Sequence, residues 1–150
     1  PPKVGPTTKD RGALSAACKA REDAMPRLYD GVTPPDIRRL WAQLGPSLTV
    51  VTRGDNGAVI GLSITGQLSS IPALPVEVVD TVGAGDSFMA GLLSGLLDAG
   101  FLGGVQGRER LRSASLADIR PAVDRALACA AITVSRAGAN PPRREDLATS

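Results

Sequence analysis

Asp80-Thr81-Val82-Gly83-Ala84-Gly85-Asp86-Ser87-Phe88 is the stretch on which the reading of this chain turns. Ahead of it, Leu74-Pro75-Val76-Glu77-Val78-Val79 is a largely β-branched run that predicts a short buried strand. Behind it, Phe88, Met89, Leu92, Leu93, Leu96 and Leu97 recur at helical spacing, which predicts a helix with one apolar face. The glycines therefore fall where a strand hands over to a helix. Small residues there let backbone N–H groups converge on an open space at the positive end of the helix dipole, an arrangement that binds anions and phosphate above all. Asp86 sits at the same helix start, where a carboxylate can accept a proton from a hydroxyl while the amides hold a transferred phosphoryl group. Taken alone, a Gly-x-Gly before a helix is equally well a plain turn with Asp86 as the N-cap.

The composition bounds the class. A chain of 150 residues is enough for one domain with its own core. Its 43% apolar and 21% charged residues are proportions of a soluble globular protein. A net charge of +2 and an aromatic fraction of 3% argue against a nucleic acid or an anionic membrane as partner. The chain has no histidine, which excludes a Ser-His-Asp or Cys-His centre and a His-ligated zinc. Cys18 and Cys129 stand far apart with no partner motif and read as free thiols. No apolar run approaches the roughly 20 residues of a membrane span. Pro1-Pro2-Lys3-Val4-Gly5-Pro6 lacks the apolar core of a signal peptide, so the cytoplasm is the expected compartment.

Residues 1–16, rich in Pro, Gly, Thr and charge, read as a loop or disordered arm. Ser15 to Tyr29 is ambiguous, with a helix as the favoured reading. Ile37, Leu40, Trp41 and Leu44 predict a helix that Gly45-Pro46 stops. Leu48–Thr52 and Ala58–Leu62 predict two strands joined across Arg53-Gly54-Asp55-Asn56-Gly57, because Asn-Gly between β-rich runs signals a hairpin. Ile64 to Ser70 is expected to add a short strand and turn. Gly100 is expected to end the helix that follows the glycine loop, and Gly103 to Ser115 to be a polar loop. Ile119, Val123, Ala126, Leu127, Ala130 and Val134 predict a second long helix with Asp118 as N-cap and Pro121 in its first turn. Strand–helix alternation predicts an α/β sheet with helices packed on it.

Other nucleotide motifs are missing. No Gly-x-x-x-x-Gly-Lys-Ser/Thr is present, and no Gly-x-Gly-x-x-Gly opens a βαβ unit with a downstream acid.

The nine residues from Asp80 to Phe88 resemble the second signature of the ribokinase-like carbohydrate kinases, also called the PfkB family. The resemblance implies an α/β, ribokinase-like three-layer sandwich, represented here only by its C-terminal nucleotide-binding part over residues 17–150. The family's N-terminal half, with most of its sugar contacts, is expected to be absent. By resemblance, Asp86 is the catalytic base and the amides of Gly83, Ala84 and Gly85 form the anion hole. Thr52-Arg53-Gly54-Asp55-Asn56-Gly57 resembles the family's Thr-x-Gly-x-x-Gly turn, which touches the phosphates and ribose of ATP. Thr52, Gly54 and Gly57 are then cofactor contacts, together with Gly85 and Asp86. Thr133 to Pro141 resembles the segment that closes the nucleotide site. In the family, oxygens there and in the glycine loop hold a monovalent cation, which by position implies Asp80, Val82, Thr133, Arg136 and Gly138 as ligands of K+. The Arg-x-Gly-Ala-x-Pro ending is most similar to fructokinase-like members.

Two departures stand out. The family's Asn/Ser-x-x-Glu/Asp, whose acid organises magnesium, is met by Lys19-Ala20-Arg21-Glu22-Asp23, leaving only Glu22 or Asp23 for that role. Leu127 stands where many relatives carry an Asn beside the nucleotide. The resemblance implies transfer of the ATP γ-phosphoryl group to a sugar hydroxyl, with Mg2+ bridging the phosphates. A non-catalytic ATP-binding remnant and a nucleoside kinase of the same fold are the alternatives. Self-association through an exposed sheet edge is expected for the part by itself.

Overall fold

The computed structural model describes residues 17–24 and 46–149. The arm over residues 1–16 and the helix expected around Ile37 to Leu44 lie outside the described residues. The described strands form one sheet in the order β1 (Ala17–Arg21), β2 (Leu48–Thr52), β3 (Ala58–Leu62) and β4 (Leu68–Ile71). β1 runs parallel to β2, and the other neighbours are antiparallel. The hairpin bounds agree with the sequence reading: Leu48 faces Leu62 and Thr52 faces Ala58. Leu48, Val50, Ala58, Ile60 and Leu62 point to one face and are buried, while Val51 and Val59 are buried on the other. Burial on both faces explains why these strands read as continuous apolar runs.

Helices α1 (Ala84–Asp98), α2 (Gly104–Ser113) and α3 (Leu116–Val134) follow. Phe88, Leu92 and Leu96 of α1 join Ile119, Ala122, Val123, Ala126 and Leu127 of α3 in the core, together with the sheet residues. Each such large side chain contributes about 1.5–3 kcal/mol of burial free energy. Close approach of α1 and α3 depends on two glycines. A Cβ on Gly95 would lie 2.6 Å from the Ala122 Cα, and one on Gly91 would lie 2.8 Å from the Cys129 Sγ. Cys129 is a buried free thiol, and its burial pushes the thiol pKa up. Gly100 takes a left-handed φ of 73° and closes α1 with the Phe101 N–H donating to the Leu96 carbonyl at 2.9 Å.

Several elements differ from expectation. Residues 17–21, within the segment read as helical, form a strand, paired along the apolar β2. The fourth strand starts at Leu68 and not at Ile64, because Ser63 to Gln67 make the turn, with the Gly66 N–H bonded to the Leu62 carbonyl at 2.9 Å. Val76–Val79 is not a strand: among the described residues no strand pairs with it, and Val78 and Val79 are about 60% exposed. Of the expected apolar face of α1, only one row is buried, while Leu93 and Leu97 face outward. The polar loop after Gly103 is the helix α2. Its Arg, Glu, Gln and Leu residues favour helix, and Gly107 fits where a Cβ would meet the Leu102 backbone at 2.7 Å. Finally, α3 begins three residues early. Ser115 is its N-cap and Asp118 the third helical residue, in a reciprocal box. The Asp118 N–H donates to the Ser115 Oγ, and the Ser115 N–H donates to the Asp118 carboxylate at 2.9 Å. Both the hydroxyl and the amide of Ser115 hold the Asp118 carboxyl below its ordinary pKa. Pro121 therefore lies in the second turn.

Candidate functional site

A cleft of about 820 Å³ opens between the end of the sheet and the start of α1. Most of its residues come from four places. Arg21, Glu22 and Asp23 follow from the end of β1, and Thr52, Arg53, Gly54, Asp55 and Gly57 from the β2–β3 turn. Thr81, Ala84 and Gly85 come from the glycine loop and helix start, and Leu127, Ala130, Ala131 and Val134 from α3. β1 and β2 are parallel, and Arg21 and Thr52 are paired at their carboxyl ends. Ligands of open α/β sheets bind in the crevice beyond such strand ends.

The two glycines of the β2–β3 turn are used differently. Gly57 has φ 79°, and a Cβ there would lie 2.1 Å from the Ile71 carbonyl oxygen, so the segment leaving β4 requires glycine. Gly54 has φ 57°, with nothing within 4 Å of a Cβ, so its space stays open. The Thr52 hydroxyl donates to the Ala20 carbonyl at 3.3 Å and braces β1 against β2. Arg53 donates to the Ser70 hydroxyl at 2.7 Å and to the Asn56 carbonyl at 3.1 Å.

At the glycine loop the N-cap is Gly83, in a left-handed conformation at φ 79°. Asp86 is consequently the third residue of α1 and not its N-cap. Its side chain is exposed, and it stands next in sequence to the cleft residues Ala84 and Gly85, although neither it nor Gly83 lines the cleft. Behind it, the Ser87 hydroxyl meets the buried Thr133 hydroxyl at 2.8 Å, fixing α1 to α3.

The residues expected at a cation site share one neighbourhood. The Val79 and Asp80 N–H groups both donate to the Val134 carbonyl, at 2.8 and 3.1 Å. The Asp80 carboxylate accepts N–H bonds from Val82 at 3.0 Å and from Gly138 at 2.9 Å. Those amides, Val82 first, hold its carboxyl below the ordinary carboxylate range. The Thr133 carbonyl accepts from the Arg136 N–H at 3.2 Å, and the Gly138 carbonyl from Asn140 at 2.9 Å. A carbonyl has a second lone pair, so both oxygens keep acceptor capacity. The Arg136 side chain is turned to Asp146 at 3.2 Å.

Sequence reasoning missed part of the cleft. Ala73, Leu74, Pro75, Val76 and Val78, read as part of a strand or its approach, form cleft wall. Arg53 also lines the cleft, although in the sequence it reads only as a turn residue between Thr52 and Gly54. Among the described residues no helix is long and apolar enough to cross a membrane.

Comparison with known proteins agrees with this geometry. The chain is 38% identical over 116 residues to a fructokinase of Klebsiella pneumoniae, covering 76% of this chain and 34% of that protein. It is 32% identical over 127 residues to the aminoimidazole riboside kinase of Salmonella typhimurium, covering 85% of this chain and 35% of that protein. The chain thus spans about a third of the length of these curated relatives. Among solved structures, the aminoimidazole riboside kinase of Salmonella enterica, complexed with aminoimidazole riboside and an ATP analogue, superposes with a TM-score of 0.68 at 29% identity over 97% of this chain and 47% of that one. A fructokinase double mutant of Vibrio cholerae with fructose, ADP and potassium superposes with a TM-score of 0.68 at 25% identity, over 87% of this chain and 38% of that one. The mixed α/β fold is accordingly part of a ribokinase-like kinase fold. Residues 24–146, well over half of the chain, match the pfkB family carbohydrate kinases, and the chain belongs to that family.

Proposed function

We propose that this chain carries the nucleotide-binding and catalytic-base part of an ATP-dependent sugar kinase, fructokinase-like in its acceptor. One observation carries the reading: the Thr52–Gly57 turn and the Ala84–Gly85 helix start line a single cleft at the carboxyl ends of the parallel strands. In this reading the open approach at Gly54 admits the nucleotide. The amides around Gly83, Ala84 and Gly85, at the positive end of α1, stabilise charge on the transferred phosphoryl group. Asp86 takes the proton of the acceptor hydroxyl as that oxygen attacks the γ-phosphorus. The backbone oxygens around Asp80, Val82, Thr133, Arg136 and Gly138 would hold the monovalent cation, fixing the loop from behind.

Among the described residues no three His, Cys, Asp or Glu side chains gather to hold a metal. Mg2+ would therefore be bound chiefly by phosphate oxygens of the nucleotide, with Glu22 or Asp23 assisting through water, and would neutralise phosphate charge. A nucleoside-type acceptor is the second reading, favoured by the similarity to an aminoimidazole riboside kinase over 85% of this chain. The exposed apolar residues Val78, Val79, Leu93 and Leu97 support a tendency of this part to self-associate.

Calorimetric titration with Mg-ATP tests the cleft, and weak saturable heat is the expected result. A well-folded chain that takes up no nucleotide at millimolar concentration would overturn the reading. A coupled ADP-release assay with fructose, ribose and a nucleoside panel separates the acceptor classes. Binding without turnover for any acceptor would mark the chain by itself as a non-catalytic nucleotide-binding module.

A further inference from the structure

Two arginines line the cleft, and they are held very differently. Arg53 is committed to the hairpin, bonded to Ser70 and to the Asn56 carbonyl. Arg21 ends β1, directly opposite Thr52, and its guanidinium faces the Asp23 carboxylate in a two-point pair, Nε to Oδ1 at 3.0 Å and the terminal nitrogen to Oδ2 at 2.6 Å. Both side chains of that pair are about two-thirds exposed. An ion pair so open to water is held weakly and is easily exchanged for a stronger anion. A polyphosphate is such an anion, since the arginine fork fits phosphate oxygens as well as it fits a carboxylate.

We infer that Arg21 is a phosphate-binding residue of the cleft, kept oriented by Asp23 and handed over to the nucleotide's polyphosphate when it binds. The inference rests on the nucleotide reading of the cleft and adds to it a cation supplied by the chain itself. Part of the phosphate charge is then met without a divalent metal. Asp23 acts as a placeholder: it orients the fork and also competes for it.

The two partners consequently give opposite effects. With ATP titrated in EDTA, so that no divalent metal contributes, Arg21→Gln is expected to weaken binding about tenfold or more, the range of a lost charge-assisted pair of hydrogen bonds. Arg21→Lys, which keeps the charge and loses the fork, is expected to fall between. Asp23→Asn is expected to tighten ATP binding a few-fold, because the competing carboxylate is gone. Adenosine, which has no phosphate, is expected to bind all forms alike. Circular dichroism of each variant guards against a change of fold, which the exposure of the pair makes easy to avoid. If the wild-type chain binds neither metal-free ATP nor Mg-ATP, the nucleotide reading fails and this inference with it; if it binds Mg-ATP but no metal-free ATP, only the inference is overturned. If the wild type binds ATP and Arg21→Gln binds it equally well, only the inference is overturned. It is likewise overturned if Arg21→Gln and Asp23→Asn weaken ATP and adenosine together, since the pair would then be a structural brace.

Discussion

Two neighbouring stretches of this molecule are about equally apolar and end in opposite situations. Helix α1 puts Phe88, Leu92 and Leu96 into the core, whereas Val76, Val78, Val79 and Val82, just before it, are all exposed. Composition does not separate them; partners do. α1 has α3 beside it, brought within contact by Gly91 and Gly95, and the sheet beneath it. The run before it is held by hydrogen bonds that the Val79 and Asp80 N–H groups donate to the Val134 carbonyl at the end of α3, with no neighbouring strand among the described residues. A hydrophobic run becomes a strand only when another strand accepts its hydrogen bonds, and side-chain burial follows from that pairing.

The largest expected effect falls on chemistry at the joint between the two stretches. In phosphotransfer-competent protein, Asp86→Asn is expected to lower turnover by 10²–10⁴-fold, the usual contribution of a general base. Because Asp86 is exposed and not the N-cap, its thermal midpoint should hardly move. Steady-state rates and a melting curve on the same sample check both halves; near-full turnover would remove Asp86 from the mechanism.

Leu92→Ala is next, at about 2–5 kcal/mol of lost stability by chemical denaturation, since Leu92 is fully buried. The matching change in the exposed run, Val78→Ala, is expected to stay within about 0.5 kcal/mol. Equal losses at the two sites would mean that the run is covered in solution. Gly95→Ala is expected to cost about 1–3 kcal/mol despite the better helix propensity of alanine, because its Cβ would be driven into Ala122. A more stable Gly95→Ala would show that α1 and α3 can move apart freely.

The smallest effect is a pH dependence. The Asp80 carboxyl is held low by the Val82 and Gly138 amides, so its contribution is complete above the ordinary carboxylate pKa of about 4 and fades as pH falls through the lower folded value. The difference in thermal midpoint between wild type and Asp80→Asn should therefore be constant near neutrality and shrink only in acid. A difference that shrank between pH 6 and pH 8 would contradict this assignment.

The β2–β3 hairpin was legible because Asn-Gly and β-branched alternation are local signals that local structure satisfies. α3 was legible because its apolar period runs over five turns. α2 was hidden by the glycines at 103, 104 and 107, of which Gly107 answers to packing that no local window contains. The start of α3 is also legible: Ser115 with Asp118 three residues later is a capping pattern, which puts the N-cap at Ser115 rather than Asp118. At the cleft, the glycines could be read because backbone geometry constrains them directly. Arg21 could be read only as a departure from a pattern, since its pairing with Asp23 is a fact of side-chain placement.

The contact between Asp80 and Gly138 also says where the chain can change length. These residues are 58 positions apart, yet one carboxylate joins them at 2.9 Å. Chain inserted at the exposed Gly103 and Gly104 lies within that span but at neither of its ends, and should leave the glycine loop where it is. A single residue inserted between Ser135 and Gly138 would shift the Gly138 amide away from Asp80 and displace the loop without altering one of its own residues. Length variation among natural relatives should accordingly concentrate in the first place and be rare in the second.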